Sequence, residues 1–177
     1  SLLGVNAVSI TLLVVALFGM FILYKEREQL RRLKFKFFPI MIVESIIYAI
    51  IITFIASFFV TSIFAFSANS PIESLSAVQK FALSLGAGLY EELFFRVILV
   101  SVLLLLFQKV FNNKKWAATT TAIILSAFLF SMVHYIGNMG DAFTLASFTY
   151  RFIFGLLLNG LYIWRGFGIA AWTHALY

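Results

Sequence analysis

Glu91 and Glu92, with Arg96 four residues after the second, place two carboxylates and a guanidinium in a run that is otherwise free of charge from residue 81 to residue 107. On a helix, positions four apart share a face, so Glu92 and Arg96 can pair while Glu91 is turned about 100° away. Arg96 then occupies Glu92, and Glu91, left without a partner, is the better general base. A buried ion pair needs one carboxylate, and a second only adds desolvation cost, which favours chemistry over packing. The two histidines, His134 and His174, both fall in apolar segments. An imidazole can shuttle a proton, donate to a developing oxyanion or ligate a metal. Glu91, Glu92, Arg96, His134 and His174 are therefore the candidate catalytic set.

No cofactor is expected for this chemistry. If a metal takes part, Glu91, His134 and His174 are its candidate ligands and zinc the ion they suit. The His-Glu-x-x-His spacing that puts two imidazoles on one helix face is missing. Cysteine is absent, which removes thiolate-zinc sites, disulfides and cysteine nucleophiles.

Membrane helices have to position these side chains. The sequence is 63% hydrophobic and 11% charged, where a soluble domain carries about 25% charged residues. At about 20 apolar residues per crossing, its 177 residues allow for about six spans. The expected fold class is all-α, a polytopic transmembrane helix bundle of about six helices with the last one unfinished. An ionisable side chain at the centre of a bilayer costs about 2.5 to 3.5 kcal/mol on insertion scales, so the Glu-Glu-Arg cluster requires a function.

The spans are expected at residues 2–24, 39–66, 76–107, 116–136 and 143–164, with 166–177 too short to cross. The first, followed by no cleavage-site pattern, is expected to be a retained helix and not a signal peptide. The third is longer than a straight crossing needs and is expected to tilt or to bend near Gly86 and Gly88, where a neighbouring helix or a substrate can also come close. The loops at 25–36 and 109–115 are rich in Lys and Arg, whereas 67–75 and 137–141 have neither. By the positive-inside rule the first two are cytoplasmic, and the net charge of +6 reports orientation, not nucleic-acid binding. The chain divides into N-terminal helices at 1–80 and a core at 81–177 that holds all five candidate residues. It begins at a serine and is expected to be a piece of a longer protein. Glu44 is expected to reach the interface or a basic residue of the preceding loop, Arg151 to snorkel outward, and Asn159 to bond across helices.

Glu91-Glu92-x-x-x-Arg96, then Phe130-x-x-x-His134, then His174 on a later helix resembles the motif series of the CAAX prenyl protease and bacteriocin-processing (Abi) family of intramembrane proteases, over roughly residues 81–177. The resemblance implies a glutamate-dependent peptidase in which Glu91 and His134 activate a water, Glu92 and Arg96 support them, and His174 stabilises the oxyanion. The family's third motif continues to an Asn or Asp four residues after the His, and the sequence stops three residues after His174. Metal-dependent members have been described, so zinc stays an alternative.

The leading expectation is an integral, multi-pass intramembrane endopeptidase with the bilayer and a peptide or membrane-protein substrate, lipidated in the CAAX case, as its partners. A scaffold or bacteriocin-immunity protein that uses the same fold to bind a membrane or cell-envelope protein is the alternative. A proton-coupled transporter ranks last, since inverted repeats and paired broken helices are not seen.

Overall fold

A computed structural model describes residues 34–64, 76–137 and 140–177, together with positions 17, 20, 24, 27 and 28. The expectations for residues 2–24, for most of the 25–36 loop and for the 67–75 turn lie outside the described residues. Residues 1–38 form one unit and residues 39–177 another. In the first, the Arg27 guanidinium lies 4.9 Å from the centre of the Tyr24 ring.

Every described element is helical. The order is α1 (Phe37–Phe64), α2 (Ala77–Glu92), a π-helix (Leu93–Val100), α3 (Ser101–Val110), α4 (Lys115–Val133), α5 (Leu145–Arg165) and α6 (Phe167–Ala175). Among the described residues, three stretches, Phe37–Phe64, Ser84–Val110 and Lys115–Val133, are long and apolar enough to cross a membrane. Helix α5, at 21 residues, carries Arg151 and Asn159 within its length and is not among the three.

The distribution of side chains inverts that of a soluble protein. On α1 the buried positions are Ser45, Ala49, Ile52, Ala56 and Val60, spaced by three or four, while Val43, Ile47, Ile50, Phe54 and Phe58 are exposed. On α4 the buried face holds Ala118, Ala122, Ser126, Ala127 and Ser131 with one large residue, Phe130. Small residues inside let helices approach, and large apolar residues outside meet lipid. The chain is accordingly an all-α integral membrane protein.

The helix is not interrupted at Gly86 or Gly88. Helix α2 runs through both glycines, and the irregularity comes later, in the π-helix that starts immediately after Glu92. Two short connections rely on left-handed backbone. Asn112 and Asn113, at φ of 48° and 62°, turn α3 into α4, as asparagine tolerates better than most residues. Gly166, at φ 88° and ψ 178°, is the single residue between α5 and α6, a conformation essentially restricted to glycine. Of residues 166–177, Phe167–Ala175 form the nine-residue α6, which packs along α2. Ile52, Phe95, Phe130, Phe154, Leu158, Leu161 and Ile169 make the core, so α1, the π-helix, α4, α5 and α6 all contribute to it.

Candidate active site

Glu91 and Glu92 are the last two residues of α2. One turn before them, a Cβ on Gly88 would lie 2.7 Å from the Ala171 carbonyl oxygen and 2.7 Å from both the nitrogen and the Cβ of Ala175. Only glycine lets α2 and α6 come this close. The contacting turn of α6 also carries His174, which is thereby held against Glu92. Gly86 faces open space, and nothing lies within 4 Å of where its Cβ would be. Of the two glycines expected to allow close approach, only Gly88 does so.

Arg96 lies in the π-helix and is fully buried, as is Glu92. Its Nε is 2.9 Å from Glu92 Oε2, the expected ion pair. The N–H does not point along that line, and neither Nη1 nor Nη2 meets a protein acceptor in hydrogen-bonding geometry. The guanidinium instead lies over the Phe130 ring, 4.7 Å from its centre, where the π-face offsets part of the cost of a desolvated cation. The π-helix is anchored to α4 by the Ser126 hydroxyl, which donates to the Phe95 carbonyl at 3.2 Å. Wide turns of this kind recur at functional sites.

The two imidazoles arrive from opposite sides. His134 caps the C-terminus of α4. Its Nδ1 is 2.7 Å from the Phe130 carbonyl oxygen, and because a carbonyl can only accept, Nδ1 carries the proton and Nε2 has the free lone pair. His174 Nδ1 is 2.8 Å from Glu92 Oε1, and it donates to the carboxylate that Arg96 pairs from the other side. Both Nε2 atoms then face Glu91: His134 Nε2 and His174 Nε2 are each 3.9 Å from Glu91 Oε2. The Phe130 ring stands between the imidazoles, 5.0 Å from that of His134 and 6.1 Å from that of His174, edge to face with both. Phe154 makes a similar contact with His174 at 5.2 Å.

All five candidate residues thus meet at one site, although they come from three parts of the chain. The 3.9 Å separations are too long for direct hydrogen bonds and suit a bridging water at about 2.8 Å from each atom. They suit zinc less well. Ligands about 2.1 Å from a tetrahedral zinc stand about 3.4 Å apart, and among the described residues no three His, Cys, Asp or Glu side chains are arranged to hold a metal.

A family model described as "Type II CAAX prenyl endopeptidase Rce1-like" matches residues 73–177, well over half of the chain and inclusive of every residue of the site. The chain belongs to this family. No curated protein and no solved structure matches it. Membership identifies the Rce1-like chain as a membrane-embedded protease of the CAAX type.

Other polar residues of this Rce1-like chain lie away from the glutamates. Glu44 takes a partner distant in sequence, Arg165, whose Nε and Nη2 donate to its two carboxylate oxygens at 2.6 and 2.8 Å. Arg151 does not simply snorkel: it pairs with Asp141, donates to the Tyr135 hydroxyl at 2.8 Å and also bonds Ser147. Asn159 donates to the Ile123 carbonyl at 2.9 Å, an interhelical bond as expected. The role of Phe130 as a shared wall for Arg96 and both imidazoles was hidden in the sequence, where it stood only as the first letter of a motif. The Arg151 cluster depends on Tyr135, Asp141 and Ser147 meeting around one side chain, and no local pattern signals it.

Proposed function

We propose that this chain hydrolyses a peptide bond at the membrane with a water activated by Glu91 and His134. The observation that carries the reading is the position of Glu91 Oε2, which stands 3.9 Å from the Nε2 of both histidines. A water in that gap can donate to the carboxylate and to the His134 lone pair. When it attacks the scissile carbonyl carbon, Glu91 takes its proton, and no covalent acyl-enzyme forms. Glu92 and Arg96 support the site by fixing His174, which stands where it can reach the carbonyl oxygen or the leaving nitrogen. The side-chain exposure of Glu91, 27% against 0% for Glu92, supports giving the first the contact with substrate and the second the supporting role. Large apolar side chains on the outer faces of the helices suit a substrate held in or on the bilayer, and a lipidated peptide is the class we favour.

Cleavage of a membrane-associated, prenylated peptide by purified wild type and by Glu91→Gln, each with and without a chelator, tests this. The expected result is a loss of about 10³-fold or more in the variant, within the range of general-base catalysis, and no effect of the chelator on wild type. Full activity in Glu91→Gln would remove Glu91 as the base. Chelator-sensitive cleavage restored by metal would replace the bridging water with a metal-bound one.

A further inference from the structure

A second polar cluster begins at the residue after His134. The Tyr135 hydroxyl donates to Ser147 Oγ at 2.8 Å, and both oxygens accept from Nη1 of Arg151. The guanidinium lies over the Tyr135 ring, 5.2 Å from its centre. Its other arm, Nη2, meets the Asp141 carboxylate, and the Asp141 backbone N–H donates to the His134 carbonyl oxygen at 2.9 Å. The cluster thus abuts the His134 side of the site. Toward His174, Tyr177 donates to the hydroxyl of Tyr150, the chain neighbour of Arg151, at 2.6 Å. The Tyr177 ring is 4.4 Å from that of Phe154, which packs on His174. Arg151 and Tyr150 therefore link the surroundings of both imidazoles.

The cation is held more firmly than its counter-charge. Nη1 is fixed by two neutral hydroxyl oxygens, which orient the guanidinium without neutralising it. Neutralisation falls to Asp141, whose side chain is 51% exposed against 25% for Arg151. An exposed ion pair contributes little, whereas a pre-oriented guanidinium fork matches the geometry of any carboxylate. We propose that Arg151, held by Tyr135 and Ser147, binds a carboxylate of the peptide substrate, and that Asp141 occupies the same fork when substrate is absent. The carboxylate is either the free terminus of the peptide or an acidic side chain near the cut. That the ligand is a substrate rests on the hydrolytic reading above; that the site takes a peptide carboxylate does not. Binding exchanges one carboxylate for another, so Arg151 keeps a counter-charge in both states, as a cation at the edge of a bilayer requires. A peptide held at this second point presents one particular bond to the water, which makes Arg151 a specificity-determining residue.

The test uses a prenylated peptide in phosphatidylcholine nanodiscs, made in three forms: with a free C-terminus and no acidic side chain, with a C-terminal amide and one Asp, and with a C-terminal amide and no acid. Binding is read in a Glu91→Gln background, so that turnover does not intervene, and cleavage is read separately with Glu91 in place. Arg151→Gln is expected to weaken binding of the recognised acidic form by about 10- to 100-fold, the range for a hydrogen bond to a charged group, and to spare the acid-free form. Asp141→Asn should move the other way and tighten the acidic form by about two- to fivefold, as loss of an exposed internal competitor would. In cleavage the same changes should fall on KM, with little effect on kcat. The free-terminus and Asp forms identify which carboxylate is read. A mere brace for the backbone around Asp141 predicts equal losses on all three peptides and a lower thermal midpoint in both variants. That pattern, or binding that ignores the acid, would overturn the proposal. If Arg151→Gln is not monodisperse, the sign of the Asp141→Asn effect decides. Should the acidic form bind through Arg151 while none of the three is cleaved, the hydrolytic reading fails and the carboxylate site stands.

Discussion

Phe130 has the largest number of separate duties of any residue at the site. Its carbonyl fixes the tautomer of His134, its ring face lies against Arg96, and its edges meet both imidazoles. It is 2% exposed, and on its far side a Cβ placed on Gly155 would come within 3.0 Å of its Cδ1, so the ring has little room to move. Phe130→Leu keeps the residue apolar and the carbonyl in place but removes the flat wall. Steady-state kinetics should show kcat lower by about tenfold to a hundredfold, the effect of a misplacement near 1 Å, with KM little changed. Wild-type kcat in that variant would mean that the imidazoles are held by Glu92 and the backbone alone.

At the scale of elements, the α2–α6 contact determines whether a site exists. His174 is brought to Glu92 because Gly88 has no side chain. Gly88→Ala would force the Ala171 and Ala175 backbone away by several tenths of an ångström, because a close-packed interior yields little. Cleavage should fall more than about tenfold, comparable to other small positional errors, and the thermal midpoint should fall too. Gly86→Ala is the control on the same helix. Its Cβ meets nothing, and alanine is favoured over glycine in a helix by up to about 1 kcal/mol, so activity should be kept and the midpoint unchanged or raised. Equal losses in the two variants would show that helix stiffness matters and the approach of α6 does not. The π-helix serves the same end, because it begins at the residue after Glu92 and carries Arg96 to a place between Glu92 and the Phe130 ring.

At the scale of the whole molecule, the large apolar side chains that cover the outer faces of the helices make the bilayer part of the fold. The basic turn at 109–115 and Asp141, whose N–H donates to the His134 carbonyl, lie at opposite ends of α4, whose 19 residues span about 28 Å at 1.5 Å per residue. The positive-inside rule predicts the first in the cytoplasm and the second outside. The chain has no native cysteine, so single cysteines at Asn113 and Asp141 can be labelled without background. In sealed, right-side-out vesicles an impermeant maleimide should label the cysteine at 141 directly and the one at 113 only after permeabilisation. Labelling of both from one side would show that α4 does not cross.

The sequence alone determined the solvent and the cast of residues. Apolar runs of spanning length and the signs of the loops need only local composition, and the i, i+4 spacing of Glu92 and Arg96 guarantees their meeting on almost any helix. His134 and His174 could be named because ionisable groups in apolar segments are costly and few. The sequence could not say where the imidazoles point. That Glu92 serves His174 is a contact across 82 positions of chain, that Glu91 stands near two Nε2 atoms involves 43 and 83, and that Glu44 pairs with Arg165 involves 121. Only the tertiary structure could settle these, for a physical reason: they depend on how closely helices approach, and a missing Cβ at Gly88, a one-residue turn at Gly166 and a π-helix after Glu92 set that approach through packing that periodicity does not encode.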